Sequence, residues 1–236
     1  MTEELWFDPA LSRTRWVACI DLLGTRERLV RGEDERVFDA YSEAIEKLER
    51  DGRNIEGISH LWFSDGFWLV TADDSGPAFT RIELLTRSFS YFLLVHRVPF
   101  RAAIACGDMY ADFENGVYLG LGMIEAYEYG DGQDWVGLVL CPTAVEQLKR
   151  FEISMDSRLN WQPFAVPWSR RPKGCPDEVP ACILGQSFQI NGRNVCLEAL
   201  REMAVSRSLE TESVRQKYMR TIDFIARNQR VVSRNG

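Results

Sequence analysis

The chain has 236 residues, of which 45% are hydrophobic and 27% are charged, and its formal net charge is −7. This composition excludes an extended disordered chain and predicts a folded protein with a large hydrophobic core. The acidic balance argues against nucleic acid as a partner, because recognition of phosphate through bulk charge needs a basic surface.

The hydrophobic pattern predicts alternating strands and helices up to residue 151. Apolar runs bounded by turn residues predict strands, and apolar residues at helical spacing predict helices. In chain order, the expected elements are a strand at 15–21, a helix at 26–51, strands at 55–64 and 67–71, a helix at 78–96, strands at 100–106 and 109–113, a helix at 118–129, a strand at 135–140 and a helix at 142–151. This order predicts an α+β sandwich, with helices packed on one mostly antiparallel sheet.

Five prolines change the pattern after residue 151, because they interrupt short strand-like pieces between residues 152 and 196. This segment is predicted to be an irregular arm or insertion. Residues 197–236 are predicted to be a C-terminal helical segment with apolar residues along one face. The expected organisation is one domain overall, with a core at 1–151, the arm at 152–196 and the helical extension at 197–236.

Asp21 is the first candidate for chemistry. An aspartate at the end of a buried strand, just before a glycine-containing turn, presents a hard oxygen ligand at the sheet edge where ligands bind. Helix capping is the alternative role, because Asp is a favoured cap residue. The turn itself, through Leu23, Gly24 and Thr25, offers backbone amides and a glycine that lets phosphate approach closely, although an ordinary strand-to-helix turn has the same composition.

Asp65 is the second candidate, although an aspartate in an Asp-Gly hairpin turn needs no function. Because the first strand and this hairpin can be neighbours in the expected sheet, Asp21 and Asp65 are expected to converge. Two aspartates with a backbone carbonyl make an oxygen-rich site suited to Mg²⁺ or Mn²⁺. Arg101 opens a later strand at the sheet end, where its cation could meet phosphate, although a structural salt bridge is the more usual role.

These residues resemble the class III nucleotidyl cyclases, and more closely the bacterial Pycsar-type pyrimidine cyclases of antiphage defence. Four short motifs come in the family's order, at residues 18–24, 62–69, 101–107 and 120–128. The resemblance implies a cyclase fold of the ferredoxin-like type, working as a homodimer with active sites in the cleft between two subunits. It also implies that Asp21, Asp65 and the Leu22 carbonyl hold two Mn²⁺ or Mg²⁺ ions beside a nucleoside triphosphate.

Two departures from the family pattern bear on substrate and catalysis. In the purine cyclases that this chain resembles, a base-reading lysine occupies the position of Leu61. The absence of that lysine is compatible with UTP or CTP as the substrate. The family's transition-state asparagine and arginine would fall near Ile124 and Glu128. Another cation, Arg101 or a basic residue of the 149–173 segment, would therefore have to offset phosphate charge.

The expected activity is conversion of UTP or CTP to cyclic UMP or cyclic CMP and pyrophosphate, as a second-messenger synthase. The main alternative is a catalytically degenerate cyclase-like domain that binds nucleotide or a partner. An enzyme that joins two nucleotides and a purely structural α+β protein are the other interpretations. The acidic N-terminal stretch without a secretory signal, the lack of a membrane-length apolar run and six cysteines without a CxxC pair predict a cytoplasmic protein without membrane insertion.

Overall fold

The computed structural model describes residues 11–30, 32, 35–51, 53, 55–112, 114–153, 160–205 and 212–229. This part of the chain forms one eight-stranded sheet and seven helices, so the expected α+β class is confirmed. The elements are, in chain order, β1 (Ser12–Leu22), α1 (Thr25–Val30), α2 (Glu35–Arg50), β2 (Ile58–Phe63), β3 (Gly66–Thr71), α3 (Gly76–Val95), β4 (Phe100–Asp112), β5 (Val117–Gly120), α4 (Leu121–Asp131), β6 (Gly137–Leu140), α5 (Pro142–Arg150), β7 (Trp161–Phe164), β8 (Val179–Cys182), α6 (Val195–Val205) and α7 (Glu212–Asn228).

The sheet is built around its two longest strands, β1 and β4, which pair antiparallel from Ser12 opposite Tyr110 to Leu22 opposite Phe100. The strand order is β2-β3-β1-β4-β6-β8-β7, and β5 pairs with β4 outside this path. Among the described pairings, β4 with β6 is parallel and the others are antiparallel. The mostly antiparallel sheet predicted from the sequence is therefore confirmed.

The core lies on both faces of the central strands. Residues 15–20 of β1 are all buried, and successive side chains of a strand point to opposite faces, so both faces of the sheet are covered here. Helices α3 and α4 each contact β1 and β4. This double coverage explains why the strand reads as a continuous apolar run rather than as an alternating one.

Most predicted element ends shift by a few residues, and three predictions differ from the structure in a larger way. The single helix predicted at 26–51 is two helices, α1 and α2. The predicted break at Gly107 does not interrupt β4, because Gly107 pairs with Arg15 and its missing side chain admits the backbone of Gly122 instead, 3.0 Å from where a Cβ would lie. The helix predicted from residue 118 begins at Leu121, since the residues just before it pair with β4 as strand β5.

The segment predicted to be an irregular arm adds two short strands to one edge of the sheet. Strand β8 pairs with β6 through Ala181 opposite Val139, and β7 pairs with β8. Pro163 and Pro180 lie opposite each other in that pair. Pro163 is on the edge strand, where a missing N–H is tolerated, and β8 pairs with β6 at Ala181 and not at Pro180. The exact division into core, arm and helical extension stays a prediction.

Two further features concern the whole described chain. All six cysteines are buried and free, and burial raises the pKa of the Cys106 thiol to about 12. Buried thiols of this kind are packing residues rather than nucleophiles.

None of the helices in the described ranges combines the length and the apolar character needed to cross a membrane.

Candidate active site

Asp21 lies near the end of β1, in the centre of the sheet. It pairs with Gly66 of β3 on one side and with Arg101 of β4 on the other. Since Asp65 precedes Gly66 directly, the register of these three strands brings Asp65 and Arg101 to the end of the sheet where Asp21 lies. Asp21 is inside a strand and four residues before α1, so the structure does not give it a helix-capping position.

Asp65 lies in the tight turn between β2 and β3. Phe63 and Gly66 are the last paired residues, which leaves Ser64 and Asp65 as a two-residue loop. Ser64 takes the left-handed conformation, with φ 57°, that such short hairpin loops require. The backbone N–H of Leu22 donates to the Asp65 carbonyl at 3.0 Å, so the hairpin turn is fixed against the end of β1.

The turn between β1 and α1 lies beside these two aspartates. Gly24 has a φ of 71°, a conformation that other residues rarely adopt, and α1 begins at the next residue. The Leu23 amide donates to the Pro99 carbonyl at 2.9 Å. The Thr25 hydroxyl donates to the Leu22 carbonyl at 3.0 Å, and that carbonyl oxygen keeps a second lone pair for another partner.

These elements surround a cavity of about 500 Å³ at the end of the sheet. Its lining residues are Cys19, Asp21, Leu22, Leu23, Gly24, Thr25, Phe63, Asp65, Gly66, Trp68, Arg101, Tyr127 and Asp131. Seven of the eight residues singled out in the sequence are therefore together. The eighth, Leu61, lies on β2 opposite Trp68 and packs partly buried against the core, so it does not line the cavity of its own chain.

Arg101 connects two carboxylates in this cavity. Its Nε donates to Asp21 Oδ2 at 3.1 Å, and its Nη2 contacts the same oxygen. Nη2 also donates to Asp131 Oδ1 at 3.0 Å, while Nη1 donates to the backbone carbonyls of Asp131 and, at 3.5 Å, of Gln133. The guanidinium is thus held by both the end of β1 and the end of α4.

The cavity carries more negative than positive charge. Among the described residues that line the cavity, Asp21, Asp65 and Asp131 supply three carboxylates and Arg101 supplies one guanidinium, which gives these side chains a formal charge of −2. Burial raises the pKa of Asp21, Arg101 offsets part of that rise, and the nearby charges of Asp65 and Asp131 add to it. Buried carboxylates that repel one another are stabilised by a bound cation.

The donor set fits a hard divalent cation. The carboxylates of Asp21 and Asp65 and the Leu22 carbonyl are oxygen donors of the kind that Mg²⁺ and Mn²⁺ prefer. The described residues contain no cluster of three or more His, Cys, Asp or Glu side chains able to hold a metal ion. The protein donors would therefore fill only part of a coordination shell, and substrate phosphates and water would have to complete it.

Asp131 is the charged cavity residue that the sequence did not reveal. It is the last residue of α4 and lies between Gly130 and Gly132. These two glycines are the only local sequence feature that marks the position. No strand end or hairpin motif marks the position. Its relevance depends on Arg101, thirty residues away in the chain, and a single sequence does not report that contact.

Known proteins resemble this chain in fold and not in sequence. The sequence matches no described protein-family profile, and no curated protein matches it. Among solved structures, the catalytic core of a rhodopsin-guanylyl cyclase with converted specificity, in complex with ATPαS, is 11% identical, with a TM-score of 0.51 over 72% of this chain and 93% of that chain. The monomeric guanylyl cyclase domain of the RhoGC fusion protein from the aquatic fungus Blastocladiella emersonii is 11% identical, with a TM-score of 0.51 over 72% and 94%. The adenylyl cyclase CyaB from P. aeruginosa is 10% identical, with a TM-score of 0.51 over 72% and 92%.

These similarities show that the chain has the mixed α+β fold of class III adenylyl and guanylyl cyclase catalytic domains. At such low identity, they carry no information about the residues of the site. Activity and substrate depend on the cavity itself.

Proposed function

We propose that the protein is a divalent-metal-dependent nucleotide cyclase that converts UTP or CTP to the 3′,5′-cyclic nucleotide and pyrophosphate. The observation that carries this proposal is the meeting of Asp21 and Asp65, from distant parts of the chain, in one cavity with a negative formal charge. In the reaction, the ribose 3′-oxygen forms a bond to the α-phosphorus. The bond from that phosphorus to the bridging oxygen of the β-phosphate breaks, and the hydroxyl proton is released.

Asp21, Asp65 and the Leu22 carbonyl would hold two Mn²⁺ or Mg²⁺ ions, which when bound favour ionisation of the 3′-hydroxyl and offset charge on the phosphates. The residues of the chain orient the triphosphate for in-line attack. Because the Leu23 amide already donates to Pro99, the amides of Gly24 and Thr25 are the turn's candidate phosphate donors. Leu23 then contributes to the wall of the cavity.

Arg101 would supply the positive charge on the protein side. In the described part of the chain it is the cationic side chain that lines the cavity, and it is only 13% exposed. An arginine in a partly desolvated site stabilises developing phosphate charge more strongly than it would in water. This role would replace the arginine whose position in related cyclases falls near Glu128, which is exposed on α4.

The pyrimidine preference rests on the resemblance to Pycsar-type cyclases and on Leu61. An apolar side chain at this position cannot donate a hydrogen bond to a purine base as a lysine would. Leu61 lies on the same hairpin as Asp65 but does not line the cavity of its own chain, so in a homodimer it would act at the cleft shared with the other subunit. The same resemblance supports a role as a second-messenger synthase in antiphage defence.

A homodimer is supported by an exposed apolar surface next to the cavity. This β5–α4 face consists of Val117, Leu119, Leu121, Ile124 and Tyr127. Leu119 and Leu121 are 69% and 70% exposed, and Tyr127 also lines the cavity. Exposed apolar residues grouped on two neighbouring elements are typical of an interaction site. A second copy of the chain packed on this face would reach the cavity at Tyr127.

A catalytically degenerate domain that binds nucleotide is the second candidate. The specific observation in its favour is that Ile124 and Glu128 stand where the family's transition-state asparagine and arginine would fall. Ile124 is apolar and 50% exposed, so it cannot replace an amide donor. This alternative predicts metal-dependent nucleotide binding without release of pyrophosphate.

The proposal is tested by incubating the protein with Mn²⁺ and, separately, ATP, GTP, CTP and UTP, and identifying the products by mass spectrometry. We expect cyclic UMP or cyclic CMP from the wild type and none from Asp21→Asn or Asp65→Asn. Asp112→Asn, at the end of β4 and outside the cavity lining, is the matched control and should retain activity. Cyclic AMP or cyclic GMP as the main product would refute the pyrimidine preference, and nucleotide binding without any cyclic product would favour the degenerate domain.

A further inference from the structure

The Arg101 guanidinium faces two different partners through its two edges. The Nε–Nη2 edge contacts the Asp21 carboxylate, with Nε 3.1 Å from Oδ2. The Nη1–Nη2 edge contacts the end of α4, where Nη2 lies 3.0 Å from Asp131 Oδ1 and Nη1 reaches the carbonyls of Asp131 and Gln133. Only the first of these partners is also a proposed metal ligand.

Asp21 would serve both Arg101 and a bound metal ion. With the Asp21 oxygens engaged by a divalent cation, the Nε–Nη2 edge of Arg101 would lose its acceptor and could instead donate two parallel N–H bonds to phosphate oxygens. A guanidinium without other contacts would lose rotamer entropy on binding a phosphate, and this loss weakens binding. The contacts of Arg101 with the end of α4 would still hold the guanidinium in place.

The segment that carries Asp131 is fixed on two sides. Gln133 donates from its side-chain Nε2 to the Ala102 carbonyl of β4 at 2.9 Å, which ties the segment to the strand that carries Arg101. The Gly132 carbonyl accepts from the Ser169 N–H at 2.8 Å. A Cβ on Gly132 would lie 2.3 Å from the Arg170 carbonyl oxygen, so this glycine permits the arm to pack directly on the loop. Asp131 is thus held in place by β4 and by the arm together.

We infer that Asp131 is a positioning residue that holds the Arg101 guanidinium at the cavity wall when Asp21 is engaged by metal, so that the freed edge of Arg101 points to the phosphates. The catalytic part of this role rests on the proposed function, whereas the anchoring itself does not. It also assigns a role to the arm, because Ser169 and Arg170 of the arm pack on the loop that follows Asp131.

The anchoring is tested without metal or substrate. The Asp21→Asn variant removes the Asp21 charge from Arg101, as a metal ion bound to Asp21 would. The Arg101 Nε–H signal is followed by ¹⁵N relaxation NMR in this variant, in the double variant with Asp131→Asn and in the double variant with Asp134→Asn. Asp134 is the matched control, because it lies in the same loop but pairs with Arg220. We expect Arg101 to stay ordered in the single variant and in the Asp134 double variant, and to become mobile only when Asp131 is changed. Equal order in all three would overturn the inference.

The catalytic consequence is tested by the change in turnover that Asp131→Asn causes in two backgrounds. With Arg101 present, we expect a loss of about 10- to 100-fold, the usual effect of a residue that orients a ligand-contacting group, and with Arg101→Gln no further loss. An equal loss in both backgrounds would show that Asp131 does not act through Arg101. A wild type that makes no cyclic product would instead refute the proposed function, and the relaxation data would still decide whether Asp131 anchors Arg101.

Discussion

Two arginine–carboxylate clusters of similar burial lie in different parts of the molecule. In α3, Arg87 pairs with Glu83 one turn earlier, with Nε 2.9 Å from Oε1, and both residues are buried. The same Glu83 oxygen accepts from the Trp161 indole of the arm at 3.0 Å. At the end of the sheet, Arg101 pairs with Asp21, and their side chains are 13% and 16% exposed.

The two clusters differ in charge balance and surroundings. Glu83 and Arg87 are one carboxylate against one guanidinium, packed between α3 and the arm. Arg101 instead shares a cavity with three carboxylates. In a balanced buried pair each charge offsets the other, and removing one partner leaves the other uncompensated. Surplus carboxylates beside an open cavity are instead stabilised by a further cation. Burial of an ion pair alone therefore does not mark a functional site, and the surplus of charge does.

The largest expected effect concerns the balanced pair. Glu83→Ala leaves the Arg87 guanidinium and the Trp161 indole without their shared acceptor, and removing one partner of a buried pair costs about 3–5 kcal/mol of unfolding free energy. Denaturant unfolding measures the loss. Glu146→Ala, which breaks an exposed pair with Arg150, is the control and should change stability by less than about 1 kcal/mol. Equal effects in the two variants would contradict the structural role of Glu83.

The next effect concerns the metal ligands. Asp21→Asn and Asp65→Asn each remove a charged oxygen donor, so we expect turnover to fall by at least about 100-fold, more than is usual for residues that only orient a ligand. Steady-state release of pyrophosphate with Mn²⁺ and UTP or CTP measures this. Glu83→Gln serves as the comparison from the other cluster, and the properly folded fraction of that variant should turn over normally. A normal rate in either aspartate variant would contradict the claim that the Arg101 cluster is functional and the Glu83 cluster structural.

A smaller effect is expected on the β5–α4 face, which borders the cavity and not the Glu83 cluster. Leu121→Glu places a charge on an exposed apolar surface that the proposed homodimer buries. The dimer dissociation constant should rise by at least about 10-fold, equivalent to about 1.4 kcal/mol. Sedimentation velocity measures the shift to monomer. Val205→Glu, at an exposed apolar position at the end of α6, is the matched control, and a dimer weakened only by that variant would place the interface elsewhere.

The smallest effect is a cost in stability at Asp21. Its pKa in the folded state is raised, chiefly by burial, so the native state binds more protons than the unfolded state just above the ordinary pKa of about 3.9, and wild-type stability falls as the pH rises through that window. Asp21→Asn should therefore raise the melting temperature slightly at neutral pH, because Arg101 keeps Asp131 as its ion-pair partner. This advantage should vanish below about pH 4.

Asp112→Asn is the control with the opposite sign. Hydrogen bonds from the side chain and backbone of Asn115 lower the pKa of Asp112 in the folded state, so the carboxylate contributes stability at neutral pH that is lost as the pH falls. That variant should melt at a lower temperature than the wild type at neutral pH. A melting temperature that falls for Asp21→Asn as well would contradict the stability cost assigned to the cavity.

Local signals in the sequence were sufficient for the elements that carry the two aspartates. The apolar run that ends on Asp21 and the Asp-Gly hairpin predict the strand and turn that the structure contains, because burial on both faces and tight-turn geometry leave direct marks in composition. The expected break at Gly107 was wrong, since that glycine serves the packing of α4 against β4. A glycine needed for close approach looks the same in sequence as one that ends a strand.

The remaining parts of the site depend on contacts between distant segments. The pairing of β1 with both β3 and β4 places Arg101 next to Asp21, and neither residue's neighbours in the chain report this. Asp131 and the support it receives from the arm were not predicted, because helix α4 ends there without a motif. The two strands of the arm were also not predicted as part of the sheet. Each contains a proline, and proline in a short apolar run argues against a strand.

The central claim is that Asp21 and Asp65 hold the same metal ions beside a triphosphate. Calorimetric titration of Mn²⁺ into the protein, in the presence of 3′-deoxy-UTP or 3′-deoxy-CTP that cannot cyclise, tests it most directly. The account predicts binding of two ions to the wild type, loss of at least one of them in each of Asp21→Asn and Asp65→Asn, and normal binding in Asp112→Asn. Wild-type Mn²⁺ binding in both aspartate variants would contradict it.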